Sequence, residues 1–121
     1  MEFRDLHAQY NALQDDIDRA INSVLASGRF IGGETVTQLE RELADYVGVK
    51  HCITCGNGTD ALQLALMAWG IGPGDAVIVP DFTFFSSGEV VSAVGATPIF
   101  VDVLEDTFNL DPSRIELAVK V

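Results

Sequence analysis

From residue 52 onward, short apolar runs alternate with helix-length segments, and this alternation constrains the fold more than any other feature of the chain. The runs are Cys52–Thr54, Ala76–Val79 and Pro98–Val101. None alternates strictly between apolar and polar residues, as expected of strands covered on both faces. Segments of helical length, about Thr59–Trp69 and Ser86–Val94, separate them. A last helix is expected to begin at Asp111-Pro112, because proline is tolerated in a first turn. Strand-helix-strand order of this kind predicts an α/β fold: a mainly parallel sheet flanked by helices and joined by right-handed crossovers.

Two helices precede the alternation. Tyr10, Leu13, Ile17, Ile21, Val24 and Leu25 fall at steps of three and four, which predicts an amphipathic helix from His7 to Ser27 with Gly28 as its stop. A glycine-ended loop, Arg29 to Gly33, leads to a second helix from Thr35 or Val36 to Val47. Its apolar stripe is Val36, Leu39, Leu43, Ala44 and Val47, with Thr35-x-x-Gln38 as a capping box and Gly48 as the C-terminal cap. We divide the chain into a helix and loop over residues 1–33 and an α/β segment over 34–121.

Charge narrows the partners. Seven basic against eighteen acidic residues leave a net charge of −11, which disfavours nucleic acid and anionic membrane surfaces. No run approaches the roughly 18 apolar residues of a membrane span, and Met1–Asp5 lacks the basic-then-apolar order of a secretory signal. The expected location is the cytoplasm. Cys52 and Cys55 have metal-like spacing, but a structural zinc site needs four ligands and only His7 and His51 could join them, so no metal site is expected. A strand over 52–54 would put one cysteine in the core and the other elsewhere. The pair suits a reducing compartment.

The junction Cys55-Gly56-Asn57-Gly58-Thr59-Asp60 runs a strand-like segment through two glycines into a helix. Such a turn offers free backbone N–H groups and the positive end of a helix dipole to an anion, with the Thr59 hydroxyl as a further donor. An ordinary turn with Thr59 as N-cap would look the same. A nucleotide-binding module of another kind would want an acidic residue about twenty positions on. Asp75 and Asp81 are near that distance, but the order Gly-x-Gly-x-x-Gly is missing.

Further along come Gly72-Pro73-Gly74-Asp75, Val77-Ile78-Val79-Pro80, Asp81-Phe82-Thr83-Phe84-Phe85-Ser86-Ser87 and Gly95-Ala96-Thr97-Pro98-Ile99-Phe100-Val101-Asp102. With the glycine turn and the earlier Ser27-Gly28-Arg29-Phe30-Ile31-Gly32-Gly33, Val36, Leu39 and Glu40, this series resembles the first third of the DegT/DnrJ/EryC1/StrS family. These are pyridoxal phosphate (PLP)-dependent sugar aminotransferases of the aspartate aminotransferase fold, and the likeness covers nearly the whole chain. It implies an incomplete fold type I large domain over 34–121. It implies a transferase that moves an amino group from an amino acid, usually glutamate, to a nucleotide-linked keto-sugar, as in polysaccharide biosynthesis, and that works as a homodimer. A PLP-dependent sugar dehydratase of the same family, a non-PLP nucleotide-binding module and a non-catalytic assembly fragment are the alternatives.

Carried over by resemblance, Gly58, Thr59 and Asp60 hold the cofactor phosphate and Phe84 packs on the pyridine ring, an aromatic face suiting a flat, electron-poor ring. Phe82 and Phe85 are expected to start a buried helix. Phe30 and Ile31 either line the substrate entrance near a dimer interface or staple the first helix to the sheet. Glu89 and Asp102 show no pairing by spacing, and Asp102 is expected to cap the turn after its strand. His7 and His51 are expected to be solvated or hydrogen-bonded. PLP transamination needs a Schiff-base lysine and a carboxylate at the ring nitrogen. Lys50 and Lys120 lack the family's serine-rich setting, and in the family both groups fall beyond residue 121. By this reading the chain is a fragment, inactive by itself, with a partial cofactor pocket and no catalytic residue.

Overall fold

The computed structural model describes residues 4–119 and divides into two compact units, residues 1–54 and 55–121. Unit one holds α1 (Leu6–Ser27) and α2 (Glu34–Val47). Asp5 starts α1, its carboxylate accepting from the Ala8 N–H at 2.8 Å, and Gly28 ends it in the left-handed conformation. Gly48 ends α2 the same way. The expected capping box is not formed. Gly33 occupies the N-cap of α2, which places Thr35 inside the first turn, and the Gln38 amide donates to Glu42 at 2.7 Å instead.

Unit two holds α3 (Gly58–Ala68), β1 (Ala76–Pro80), α4 (Ser86–Ala93), β2 (Thr97–Val101) and α5 (Pro112–Ala118). β1 and β2 pair in parallel, with Ala76 opposite Thr97 and Pro80 opposite Val101. α4 packs on both strands, α3 on α4, and α5 on β2. Aliphatic residues fill the space between: Val79, Val90, Val91 and Ala96 are buried, with Leu66, Ile71, Val77 and Val94 against them. Each fully buried side chain of this size contributes about 1.5–3 kcal/mol. Asp111 caps α5; its Oδ1 accepts from the Ser113 hydroxyl at 2.7 Å and the Ser113 N–H at 2.8 Å. Those bonds, the hydroxyl's first, hold the Asp111 carboxyl below the ordinary aspartate range. No helix among the described residues is long and apolar enough to cross a membrane.

Two expectations change at the ends of elements. Cys52–Thr54 is not a strand; residues 51–55 carry no regular structure, and the sheet of the described residues has two strands. A three-residue run has no ladder to join without a neighbour, and its last residue bonds to a helix side chain. Phe85 does open a helix with buried residues, as the N-cap of α4 whose carbonyl accepts from the Glu89 N–H at 3.1 Å, but Phe82 lies ahead of it and neither ring is buried.

Candidate functional site

The turn into α3 is built by its own side chains. Asn57, not Thr59, is the N-cap: its Oδ1 accepts from the Asp60 N–H at 2.9 Å, and its Nδ2 donates to Asp60 Oδ2 at 3.2 Å. The first bond is that of an N-cap, and the second ties the two side chains together across the first turn. The Asp60 carboxylate leans over Gly56, where a β-carbon would sit 2.7 Å from Oδ2, so a side chain there would push the carboxylate aside. The Cys55 thiol donates to the Asn57 carbonyl at 3.3 Å. Cys55 is exposed and Cys52 half-buried.

Three features of this turn bear on anion binding. The N–H groups of Gly58 and Thr59 lie in the first helical turn, where no carbonyl four residues earlier belongs to the helix. α3 is long enough, at eleven residues, to carry a dipole whose positive end lies here. The Asp60 amide is already engaged by Asn57. A phosphate therefore fits Gly58 and Thr59, the latter half-buried, and gains a third donor at Asp60 only by opening the Asn57 bond.

The second part of the site follows β1. The chain leaves the strand with the Asp81 N–H bonded to the Val101 carbonyl at 3.0 Å, at the carboxyl end of the parallel pair, where open α/β sheets take ligands. Thr83 Oγ1 and Ser87 Oγ lie 2.9 Å apart, tying the loop to α4. Phe84 is 77% exposed. With Asp81, Thr83, Glu89, Pro98 and Phe100 it borders a cavity of about 300 Å³, which residues 56–60 do not line. Phe100 closes over Gly88, its Cζ 2.8 Å from where a β-carbon would be.

In unit one, Phe30 borders a separate cavity of about 310 Å³ with Val24, Arg29, Gly33, Glu34 and Val36. Ile31 does not line it and is 98% exposed. His7, Lys50 and His51 are exposed. Asp102 Oδ1 accepts from the next N–H, that of Val103, at 2.8 Å. Lys120 lies outside the described residues. The described residues contain no group of three or more His, Cys, Asp or Glu side chains arranged to hold a metal.

Two polar groups, one in each unit, were missed by sequence reasoning. Asn57 was legible in principle, since Asn-x-x-Asp has capping-box spacing. Glu40 was not: its Oε1 accepts from both the N–H (2.9 Å) and the hydroxyl (2.8 Å) of Thr54, fourteen residues away. The N–H bond, then the hydroxyl bond, holds the Glu40 carboxyl below the ordinary glutamate range.

Residues 11–121 match the model of the DegT/DnrJ/EryC1/StrS aminotransferase family. The chain belongs to that family. It is 50% identical over 119 residues to the UDP-2-acetamido-2-deoxy-3-oxo-D-glucuronate aminotransferase of Pseudomonas aeruginosa, covering 98% of this chain and 33% of the relative. The crystal structure of DesV from Streptomyces venezuelae, in complex with a ketimine intermediate, superposes with a TM-score of 0.92 at 47% identity, over 97% of this chain and 32% of that one. NtdA from Bacillus subtilis with bound cofactor PMP gives a TM-score of 0.85 at 38% identity, over 89% and 25%. The α/β architecture expected from the sequence is therefore that of the aminotransferase structures, and the chain spans about a third of the length of the curated relative.

Proposed function

We propose that this chain forms the N-terminal part of a PLP-dependent aminotransferase that transfers an amino group from an amino-acid donor, glutamate, to the keto group of a nucleotide-linked sugar in the cytoplasm. The observation that carries the reading is the clasped turn at Gly58 and Thr59, in the same unit as an exposed aromatic loop at the carboxyl end of β1. The family relatives support the reaction class: the Pseudomonas aeruginosa protein is named as an aminotransferase of a UDP-linked 3-oxo sugar.

In this reading Gly58 and Thr59 bind the phosphate through backbone N–H groups and the Thr59 hydroxyl, and Asn57 and Asp60 hold the turn in shape for them. Phe84 covers one face of the pyridine ring and keeps water from it. When bound, PLP supplies an electron sink for the charge left on the donor's α-carbon. Phe30 and Ile31 border the substrate entrance of a homodimer. Neither Lys50 nor Lys120 is assigned to the reacting atoms; the chain's share of the work is to bind and orient.

Titration with PLP, phosphate-free pyridoxal and inorganic phosphate separates the two halves of the pocket. Thr59→Val is expected to weaken PLP and inorganic phosphate about fivefold, as loss of one donor worth ~1 kcal/mol implies, and to leave pyridoxal unchanged. Phe84→Ala is expected to weaken PLP about three- to tenfold without touching inorganic phosphate. Unchanged PLP affinity in both variants contradicts the assignment.

A further inference from the structure

Phe108 alone among the described non-glycine residues has positive φ, at 56°. This is the left-handed region, disfavoured for any residue with a β-carbon and rare for a bulky one. It sits in the turn that follows β2, where Val103 and Leu110 bridge in antiparallel fashion and the Phe108 N–H donates to the Leu104 carbonyl at 2.9 Å. Glycine would take that position without strain, so the ring has to account for the residue.

The ring meets Phe82, with centroids 5.3 Å apart and planes tilted by 38°. Phe82 is 66% and Phe108 59% exposed, so core burial does not explain the pair. What the contact joins is informative. It bridges the two loops that leave the carboxyl ends of β1 and β2, the side on which α/β sheets bind ligands. Phe82 is thus held by the hairpin and Thr83 by its hydroxyl bond to Ser87, and the next residue is the exposed Phe84.

We propose that Phe108 is a positioning residue for Phe84: its ring, carried in a strained backbone, fixes Phe82 and thereby holds the 81–85 loop in the conformation that presents Phe84 to the cofactor's ring. This rests on the cofactor reading above.

The test measures dissociation constants of PLP and inorganic phosphate for the chain and for Phe108→Ala, Phe108→Gly, Phe108→Tyr and Phe82→Ala, with circular dichroism to confirm helix content. Phe108→Ala and Phe82→Ala are expected to raise the PLP constant about three- to tenfold, the scale of one lost aromatic contact, and to leave the phosphate constant unchanged. Phe108→Tyr keeps the ring and should bind like the parent. Phe108→Gly relaxes the backbone but removes the ring; it should melt no lower than Phe108→Ala yet bind PLP as poorly, which a purely structural role would not give. The double variant Phe82→Ala/Phe108→Ala should be no worse than either single one, because both remove the same contact.

Parent-like PLP binding in Phe108→Gly overturns the proposal, as does an equal loss of phosphate and PLP, or failure of Phe108→Tyr to restore binding. In those cases a tighter hold on PLP than on phosphate by the parent leaves the cofactor reading standing. A parent chain that does not distinguish PLP from phosphate removes that reading and the proposal with it.

Discussion

Gly95 shows how much one backbone position can decide. It has φ of +83° directly after α4, and a β-carbon there would lie 3.0 Å from Pro73 Cγ. Gly95→Ala combines left-handed strain with a tight ring contact and is expected to cost about 1–3 kcal/mol in urea unfolding. Glu40 acts through the two hydrogen bonds it accepts from Thr54. Because its folded-state carboxyl titrates below the ordinary range, the stability it contributes is present above the unfolded pKa and is lost as pH falls through the lower folded value. The chain is therefore expected to lose stability on acidification from about pH 4.5 downward, and Glu40→Ala to flatten that part of the profile. Glu40→Gln retains an acceptor oxygen and should keep the Thr54 amide protected from hydrogen exchange while also losing the acid dependence.

At the scale of elements, the α4 face against β1 and β2 is where packing energy concentrates. Val91 is fully buried there, and Val91→Ala is expected to destabilise unit two by about 2–3 kcal/mol, from lost transfer energy and the cavity left behind. The helices and the parallel pair were legible because local signals agree: Gly28 and Gly48 close α1 and α2, Pro112 opens α5, and Val77 and Val79 sit between turn residues. The failures share a cause. Cys52–Thr54 reads as a strand by composition, but strand formation depends on a neighbour, which a local pattern does not contain. Thr59 reads as an N-cap until Asn57, two residues earlier, satisfies the Asp60 amide. Phe82 and Phe85 read as core by hydrophobicity, whereas their places beyond β1 leave them at the sheet's open end. Glu40 and Phe108 act across long sequence separations, so nothing local marks them.

At the scale of the molecule, the sheet among the described residues of unit two has two strands, each with an outer edge that no further described strand covers, and Trp69, Phe84 and Phe85 add exposed apolar surface. Such edges and patches favour pairing between chains. Light scattering at micromolar concentration is expected to show a dimer or larger species; a monodisperse monomer contradicts this. Turnover of a keto-sugar by the chain with added PLP is expected to be undetectable, since it spans about a third of its curated relative. We propose that the turn opening α3 takes the phosphate of PLP, and residue-resolved hydrogen exchange with PLP, pyridoxal and inorganic phosphate reads that contact at the amides themselves. Exchange at the Gly58 and Thr59 amides is expected to slow with PLP and with phosphate but not with pyridoxal. Equal exchange under all three conditions would contradict the proposal.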